Sequence, residues 1–206
     1  MAEKYISFEV TPNDGTVAGI AVESSRQQIA ALPTIQFSST SSNGAESVSS
    51  ASLQIDLSAS SGQDITVEYT ITGTASGSGT DYTLADGTLT IAAGNTDNNI
   101  TIASIVDDAI LEADETVIVT LSNPSSYATL GTNIEHTYTI NNNDNASVTV
   151  GDANGAEDEG AITITATLDN AVQGGFTVDV NSSDGTATAG DDYTPVSSET
   201  LTFVGT

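Results

Sequence analysis

Residues 105–121, IVDDAILEADETVIVTL, contain the stretch that decides the fold, an acidic turn (residues 105–115) that runs directly into an alternating β-strand. Its five carboxylates belong to Asp107, Asp108, Glu112, Asp114 and Glu115. The following residues alternate as expected of a strand with one buried face. Carboxylates this close repel one another unless a cation lies between them, and no Lys or Arg is near. The stretch therefore predicts a metal-binding turn beside a strand.

Runs with the same two-residue period occur throughout the region from Pro33 to residue 140. They are TIQF, SLQIDLS, ITVEYTITG, GTLTI, NITIASI, ETVIVTL and HTYTI, separated by Gly, Asn and Asp. About seven strands in about 110 residues predict an all-β fold, an immunoglobulin-like antiparallel β-sandwich. The predicted core consists of Ile35, Phe37, Leu53, Ile55, Leu57, Val67, Tyr69, Ile71, Leu89, Ile91, Ile100, Ile102, Val117, Val119 and Leu121.

Three motifs of this region recur one domain length later in the chain. NGAE (43–46) recurs at 154–157, GTDYT (79–83) as GDDYT at 190–194, and TLTI (88–91) as TLTF at 200–203. The spacing of 111 or 112 residues predicts a tandem repeat. We assign residues 33–144 to a complete first repeat and residues 145–206 to a partial second repeat. We expect the chain to be the front of a longer polypeptide, or a subunit whose second sandwich is completed by strands of another chain.

Residues 1–32 differ from the repeats in their sequence pattern. Apolar residues at positions 5–10, the turn sequence PNDG at 12–15 and a second run at 17–22 predict a hairpin. Residues 23–32 fit either a short helix or an irregular linker. Because a lone hairpin is marginally stable, we expect this segment to be an attachment point that packs on something else.

The charge balance excludes several classes of partner. The chain has 28 acidic and 2 basic residues, a formal charge of −26. Such a surface repels nucleic acid and anionic lipid, and no segment is apolar enough for membrane insertion. Divalent cations are the natural counterpart, although solvation in a salty environment is a second interpretation. With no Cys and no disulfide, Ca²⁺ is the remaining common staple of a small extracellular module.

An enzymatic function is not predicted. The acidic pairs lie on a turn without an aromatic platform, and there is no Trp, no Cys and no phosphate-binding loop. The single histidine, His136, lies in the strand-like HTYTI, and we expect it to be a surface residue of that strand. Tyr82 and Tyr193 each follow a motif Asp, and we expect them to pack at the rim and fix their loops.

The motifs GTDYT, VDDAILEADETVIVTLSNP and TYTINNNDN together resemble a Calx-β domain, as one whole copy over residues 34–144 and a partial copy over 146–206. The resemblance implies an immunoglobulin-like sandwich of seven strands that in some members binds Ca²⁺ at one end. Members occur as cytosolic Ca²⁺ sensors in sodium/calcium exchangers, in an integrin tail and as tandem arrays in bacterial surface proteins. The ligands it implies are Glu46, Asp81, Asp107, Asp108, Glu112, Glu115 and Asp144, whereas the family pattern does not clearly include Asp114.

One departure from the family pattern bears on affinity. Members that bind several ions tightly end the domain in a run of Asp, whereas the closing segment here (residues 141–144) reads NNND. Because Asn supplies a neutral oxygen, we expect fewer ions or weaker binding. The linker 141–145 is also similar to cadherin-type linkers that hold Ca²⁺ between domains. The second repeat retains Glu157 and Asp192 but not the acidic turn, so we expect no proper site there.

The strand ends of a sandwich meet at one pole, which is expected to bring Asp81, the acidic turn and Asp144 together. Ca²⁺ takes six to eight oxygens, more than any single loop here supplies. The alternative is a solvated acidic turn without an ion. The sequence thus predicts a non-enzymatic, Ca²⁺-binding structural or adhesive module, extracellular or at the cell surface, that contacts neighbouring repeats or identical subunits through sheet edges. The alternative is a filament or virion subunit assembled by strand complementation, and a cytosolic sensor ranks third.

Overall fold

The structure, a computed structural model, describes residues 5–13, 15–16, 20–25, 27–28 and 31–206. Their regular structure is entirely β-strand, and they include no helix long and apolar enough to cross a membrane. The abundance of Thr, Val and Ile favours strands, because β-branched side chains suit an extended, pleated backbone. The strands are β1 (Tyr5–Ile6), β2 (Glu9–Val10), β3 (Val22–Glu23), β4 (Gln27–Gln28), β5 (Thr34–Phe37), β6 (Ser41–Ala45), β7 (Ser50–Leu57), β8 (Ile65–Gly73), β9 (Gly87–Ile91), β10 (Asp97–Ala103), β11 (Glu115–Ser122), β12 (Thr129–Leu130), β13 (Glu135–Asn141), β14 (Val148–Val150), β15 (Ala166–Leu168), β16 (Phe176–Val180) and β17 (Glu199–Phe203).

Strands β5 to β13 form two sheets that enclose one hydrophobic core. One sheet has the strand order β10-β7-β5-β12, and the other has the order β6-β13-β11-β8-β9. Neighbouring strands are antiparallel, except that β12 pairs with β5 and β6 pairs with β13 in parallel. This arrangement confirms the predicted all-β sandwich.

The core follows from the two-residue period of the strands. In β11 the side chains of Val117, Val119 and Leu121 are buried and the residues between them are only partly covered. The predicted core residues are buried, except Tyr69, Ile71 and Leu89, which pack against the core from partly buried positions. Further buried residues, which the alternating runs did not single out as core, are Ile65, Tyr82, Ile105, Ala128, Tyr138 and Ile140.

The sequence pattern does not predict strands β6 and β12. The sequence of β6, SSNGA, has no apolar alternation, and the strand is held by its parallel ladder with β13. Glycine permits this approach, since a Cβ on Gly44 would collide with the hydroxyl of Tyr138. A strand of this kind depends on backbone hydrogen bonds rather than on side-chain burial, so no hydrophobic period marks it.

The prediction that His136 is a surface residue is wrong. Its side chain is only 4% exposed, and its ring packs 5.4 Å from that of Phe37. Nδ1 lies 2.7 Å from the carbonyl oxygen of Ser39, and Nε2 lies 2.8 Å from Oγ of Ser42. The ring is buried because the segment before and within β6 satisfies both of its nitrogens.

The N-terminal segment forms a ribbon of two short antiparallel pairs. Strand β1 pairs with β4, and β2 pairs with β3. The returning strand therefore lies further along the chain than the predicted run 17–22, of which residues 17–19 fall outside the described residues. Residues 23–32, for which the sequence left helix and linker open, contribute part of β3 and all of β4.

The second repeat is more open than the first. It contains two separate pairs, β14 with β15 and β16 with β17, and the rings of Phe176 and Phe203 stack 5.0 Å apart between the latter strands. The side chains of Val150, Ile162 and Ile164 are more than half exposed. The fully buried hydrophobic residues of the described chain all belong to the first repeat.

Candidate metal centre

The predicted site residues come from separate strands whose ends meet at one pole of the sandwich. Strand β11 begins at Glu115, which lies opposite Ile140 near the end of the antiparallel strand β13. Strand β6 runs parallel to β13 and ends beside it, with Ala45 opposite Asn141. The acidic turn connects the end of β10 to the start of β11. The register thus delivers the ends of three strands and the acidic turn to the same place.

Glu46 is placed by the parallel pairing of β6 and β13. Its backbone nitrogen donates to the carbonyl oxygen of Asn141 at 3.2 Å, which continues the ladder one residue beyond the strand. Its side chain is only 4% exposed. A buried carboxylate is therefore held beside the closing segment, in a chain that has no Lys or Arg after position 26.

Asp81 lies in the loop between β8 and β9, which is attached to the acidic turn. Its carbonyl oxygen accepts a hydrogen bond from the backbone nitrogen of Val106 at 3.0 Å, and its Oδ2 accepts one from the backbone nitrogen of Ser76. Tyr82 is 4% exposed and packs in the core cluster rather than at the rim where the sequence placed it, and it anchors the loop there. The loop thus carries Asp81 to the acidic turn on a fixed backbone.

The acidic turn is held by its own carboxylates and by a buried anchor. Ile105 is buried where the turn leaves the core. Oδ1 of Asp108 accepts a hydrogen bond from the backbone nitrogen of Ile110 at 2.7 Å, an arrangement typical of Asp in turns. Oδ1 of Asp114 accepts one from the backbone nitrogen of Asn142 at 3.0 Å. Asp114, which the family pattern does not clearly include among the ligands, therefore holds the closing segment.

The closing segment covers the acidic turn with amide donors. The side-chain amide of Asn142 donates to the carbonyl oxygen of Ile110 at 3.2 Å, and that of Asn143 donates to Oδ1 of Asp107 at 3.3 Å. Oδ1 of Asn142 accepts a hydrogen bond from the backbone nitrogen of Asp144 at 2.7 Å. Oδ2 of Asp144 is buried and receives no hydrogen bond from the described residues. A buried carboxylate oxygen without a donor is unfavourable unless a cation neutralises it.

Three carboxylates at this pole have the spacing of ligands to a single ion. One oxygen each from Glu46, Asp108 and Asp144 lie within 4.8 Å of one another. Two oxygens bound to the same Ca²⁺ at up to about 2.6 Å are at most about 5.2 Å apart. The three oxygens of the trio are therefore close enough to contact one cation.

The electrostatics of the pole show unrelieved negative charge. Burial, followed by the nearby charges of Glu112, Asp144, Asp108 and Asp107, raises the pKa of Glu46 to about 7. Burial and the charges of Asp108, Asp81 and Asp144 raise the pKa of Glu112. Burial, and then the neighbouring carboxyl group of Asp81, raise the pKa of Glu115 to about 7. The seven predicted ligands thus form one continuous electrostatic cluster.

The chemistry of the cluster suits a hard cation. Its side chains offer carboxylate and amide oxygens, with no Cys in the chain and with the single histidine engaged elsewhere in the core. Oxygen ligands in this number are the preference of Ca²⁺, which tolerates the irregular geometry of several converging loops. The residues present therefore fit the ion that the sequence resemblance implies, and their individual ligand roles stay predictions.

Sequence reasoning missed one residue at this pole, Gln173 of the second repeat. Its side-chain amide donates to Oε2 of Glu112 at 3.1 Å. No motif marks it, because the contact joins residues 61 positions apart in different repeats. The motif acids of the second repeat lie elsewhere: Glu157 is exposed, and Oδ2 of Asp192 accepts a hydrogen bond from the backbone nitrogen of Thr188 at 2.8 Å.

Comparison with known sequences gives one consistent relationship. The family model described as the Calx-beta domain matches residues 29–154 and again residues 140–205. The two matches together span most of the chain and overlap at the linker between the repeats. None of the curated proteins matches the chain.

Solved structures agree with the sequence match. The apo-form Calx CBD1 domain is 25% identical, with a TM-score of 0.50, and the match covers 55% of this chain and all of that domain. CBD12 from CALX1.2 is 21% identical over 84% of this chain and 70% of its own, and the calcium binding domain CBD12 of CALX1.1 is 19% identical over 65% and 69%, both with a TM-score of 0.50. At such identities the last two show a shared fold.

Proposed function

This chain belongs to the Calx-beta domain family, and we propose that it is a non-enzymatic Ca²⁺-binding structural and adhesive module of an extracellular surface protein. In this proposal the first repeat holds Ca²⁺ at the pole formed by the acidic turn. The second repeat follows it as the next unit of a tandem array.

The observation that carries the proposal is the orphaned oxygen of Asp144. Oδ2 is buried without a hydrogen-bond donor among the described residues, and it belongs to the trio whose oxygens lie within 4.8 Å. Glu46, the second member of the trio, is itself almost fully buried and has a raised pKa. A folded protein keeps buried, mutually repelling carboxylates at a cost in stability, and a bound Ca²⁺ would offset that cost.

The remaining predicted ligands surround this trio. The charges of Asp107 and Glu112 raise the pKa of Glu46, and the charge of Asp81 raises the pKa of Glu112 and of Glu115. The amide of Asn143 already partly neutralises Asp107. This arrangement supports fewer or weaker ions than a closing run of Asp would bind, because the amide replaces negative charge at one side of the cluster.

The proposed structural role follows from the thermodynamic coupling of Ca²⁺ binding to folding. An ion that binds the folded first repeat and not the unfolded chain stabilises the fold by mass action. The acidic turn also touches the second repeat, so an ion there stiffens the region in which the repeats meet. Stiffness of this kind suits an adhesive array that projects from a surface, and location outside the cell, where Ca²⁺ is plentiful, is part of the proposal.

The direct test is calorimetric titration of the full chain with Ca²⁺, combined with thermal unfolding in Ca²⁺ and in chelator. We expect binding heat and a higher melting temperature in Ca²⁺, and we expect both to be lost in Asp144→Asn. Asp97→Asn is the matched control, since it removes the same charge at the start of β10, on an exposed residue. Absence of heat together with an unchanged melting temperature in chelator would refute Ca²⁺ binding.

A second candidate function is assembly into a filament or virion by strand complementation. It is favoured by the exposed side chains of Val150, Ile162 and Ile164 and by strands β15 and β16, each of which pairs on one side only. Sedimentation velocity and limited proteolysis separate the two functions. A monomer with a protease-sensitive second repeat supports the array module, whereas a polymer in which residues 146–206 become protected supports assembly.

A further inference from the structure

The second repeat docks on the acidic turn through a short strand-like contact. The backbone nitrogen of Leu111 donates to the carbonyl oxygen of Ala171 at 2.9 Å, and the backbone nitrogen of Gln173 donates to the carbonyl oxygen of Leu111 at 2.9 Å. These two bonds form a parallel bridge between Leu111 and Val172. The side-chain amide of Asn170 adds a bond of 2.9 Å to the carbonyl oxygen of Asn145 in the linker.

This docking positions the side chain of Gln173 against the carboxylates of the first repeat. Its Nε2 donates to Oε2 of Glu112 at 3.1 Å. The amide therefore reaches Glu112 of the acidic turn, on a backbone fixed by the bridge to Leu111.

We propose that Gln173 is a Ca²⁺ ligand supplied by the second repeat, through its side-chain oxygen, to the centre held by the first repeat. This inference rests on the proposed function, because it adds a ligand to the same ion-binding pole. It makes the metal centre composite: the first repeat contributes the charged ligands, and the second contributes a neutral one.

The geometry of the contact supports a ligand rather than only a hydrogen-bond donor. The nitrogen and oxygen of a glutamine amide occupy equivalent ends of one planar group, so a half-turn about the last side-chain bond exchanges them. The oxygen would then stand where Nε2 now lies, 3.1 Å from Oε2 of Glu112. Adjacent oxygens around a Ca²⁺ ion, each about 2.4 Å from it, are typically about 3 Å apart.

The charge balance explains which end of the amide faces the pole. Without an ion, the donor end faces Glu112, because the turn contains no basic side chain to neutralise it. With an ion, the carboxylates are neutralised by the metal and the oxygen end becomes favourable. A neutral ligand also raises the number of coordinating oxygens without adding to the repulsion among seven carboxylates.

The test is calorimetric Ca²⁺ titration of the full chain and of two variants. Gln173→Met keeps the length of the side chain and removes both polar atoms, and we expect its Kd to rise about tenfold. Gln173→Glu restores oxygen ligands but removes the amide donor, and we expect it to bind more tightly than Gln173→Met. Gln63→Met, at an exposed glutamine in the loop between β7 and β8, is the matched control and should bind as the unsubstituted chain does.

The outcomes separate this inference from the proposed function. Equal affinity of Gln173→Met and the unsubstituted chain would overturn the ligand role and leave Ca²⁺ binding by the first repeat intact. Gln173→Glu binding no more tightly than Gln173→Met would also overturn it, since an amide that acts only as a donor is not replaced by a carboxylate. No binding to the unsubstituted chain would refute the proposed function and this inference together. Melting temperatures in chelator verify that each variant is folded.

Discussion

Asn143 donates a hydrogen bond from its side-chain amide to Oδ1 of Asp107 across 3.3 Å, joining the closing segment to the acidic turn. In family members whose closing segment is a run of Asp, an Asp at this position would add negative charge to the cluster. Here the neutral amide instead donates a hydrogen bond to the carboxylate of Asp107. The substitution of Asn for Asp thus has two opposite consequences, a more stable metal-free fold and a weaker attraction for cations.

Asn143→Asp should therefore lower the stability of the metal-free protein and raise its affinity for Ca²⁺. Without Ca²⁺ we expect a loss of about 1 kcal/mol in the free energy of unfolding, because a donor is lost and one more negative charge faces the carboxylates of the cluster. With Ca²⁺ we expect a Kd lower by about threefold to tenfold. Denaturant unfolding in chelator and calorimetric titration measure the two effects.

The control for this substitution is Asn99→Asp, which adds the same charge to an exposed residue of β10. It should leave the affinity for Ca²⁺ unchanged. If Asn143→Asp weakens Ca²⁺ binding, or if both variants tighten it equally, the amide of Asn143 has no specific role in the cluster.

Glu46→Gln should stabilise the metal-free protein while abolishing its response to Ca²⁺. The carboxylate of Glu46 is almost fully buried, and its pKa of about 7 records how unfavourable its charge is there. A neutral amide removes that penalty, which amounts to at most about 3 kcal/mol near pH 8. Melting temperatures near pH 8, in chelator and in Ca²⁺, measure both effects.

Glu199→Gln on β17 is the corresponding control, because this glutamate is exposed and far along the chain from the acidic turn. It should change neither melting temperature appreciably. A Glu46→Gln protein that is less stable than the unsubstituted chain in chelator, or that keeps the full Ca²⁺ response, would contradict the assignment of Glu46 to the centre.

The parts of the fold that depend on side-chain burial could be predicted from the sequence, and those that depend on the backbone alone could not. Strand β11 is recognisable because Val117, Val119 and Leu121 recur every second residue and are buried. Strand β6 has no such period, yet it delivers Glu46 to the pole. The acids themselves were recognisable from their motifs. Their meeting at one pole could be expected because the strand ends of a sandwich converge.

The hydrogen bonds made to the carboxylates of the pole could not be predicted from the sequence pattern. Asn143 reads in the sequence only as a neutral replacement for Asp, and its donation to Asp107 depends on how the closing segment folds back. Gln173 reads as an ordinary turn residue, because its partner lies in the other repeat. Both contacts are set by the tertiary arrangement and not by local sequence.

The stability of the metal-free protein should fall as the pH rises from about 5 to about 8. Glu46 and Glu115 have pKa values of about 7 in the folded protein and the ordinary value of 4.5 when unfolded. Between these values the folded state binds more protons than the unfolded state, so stability is highest at the acidic end and is lost as the pH rises through 7.

Ca²⁺ should reverse this trend, because it competes with protons for the same carboxylates. Its affinity therefore rises as these groups lose their protons. The increase in melting temperature caused by Ca²⁺ should therefore grow from about pH 5 to about pH 8. Differential scanning calorimetry in metal-free and Ca²⁺-saturated buffers measures it, and high salt controls for general repulsion. A metal-free stability that rises over this interval would contradict the raised pKa values.

His136→Ala should destabilise the first repeat, although His136 is not one of the predicted ligands. The substitution removes a ring packed against Phe37 and leaves the carbonyl oxygen of Ser39 and the hydroxyl of Ser42 without their partner. We expect a loss of about 2–3 kcal/mol in the free energy of unfolding, measured by denaturant titration. Glu135→Ala, at the exposed preceding position of β13, should cost less than about 0.5 kcal/mol. Equal effects of the two variants would show that the buried ring contributes nothing to the attachment of β6, and with it to the position of Glu46.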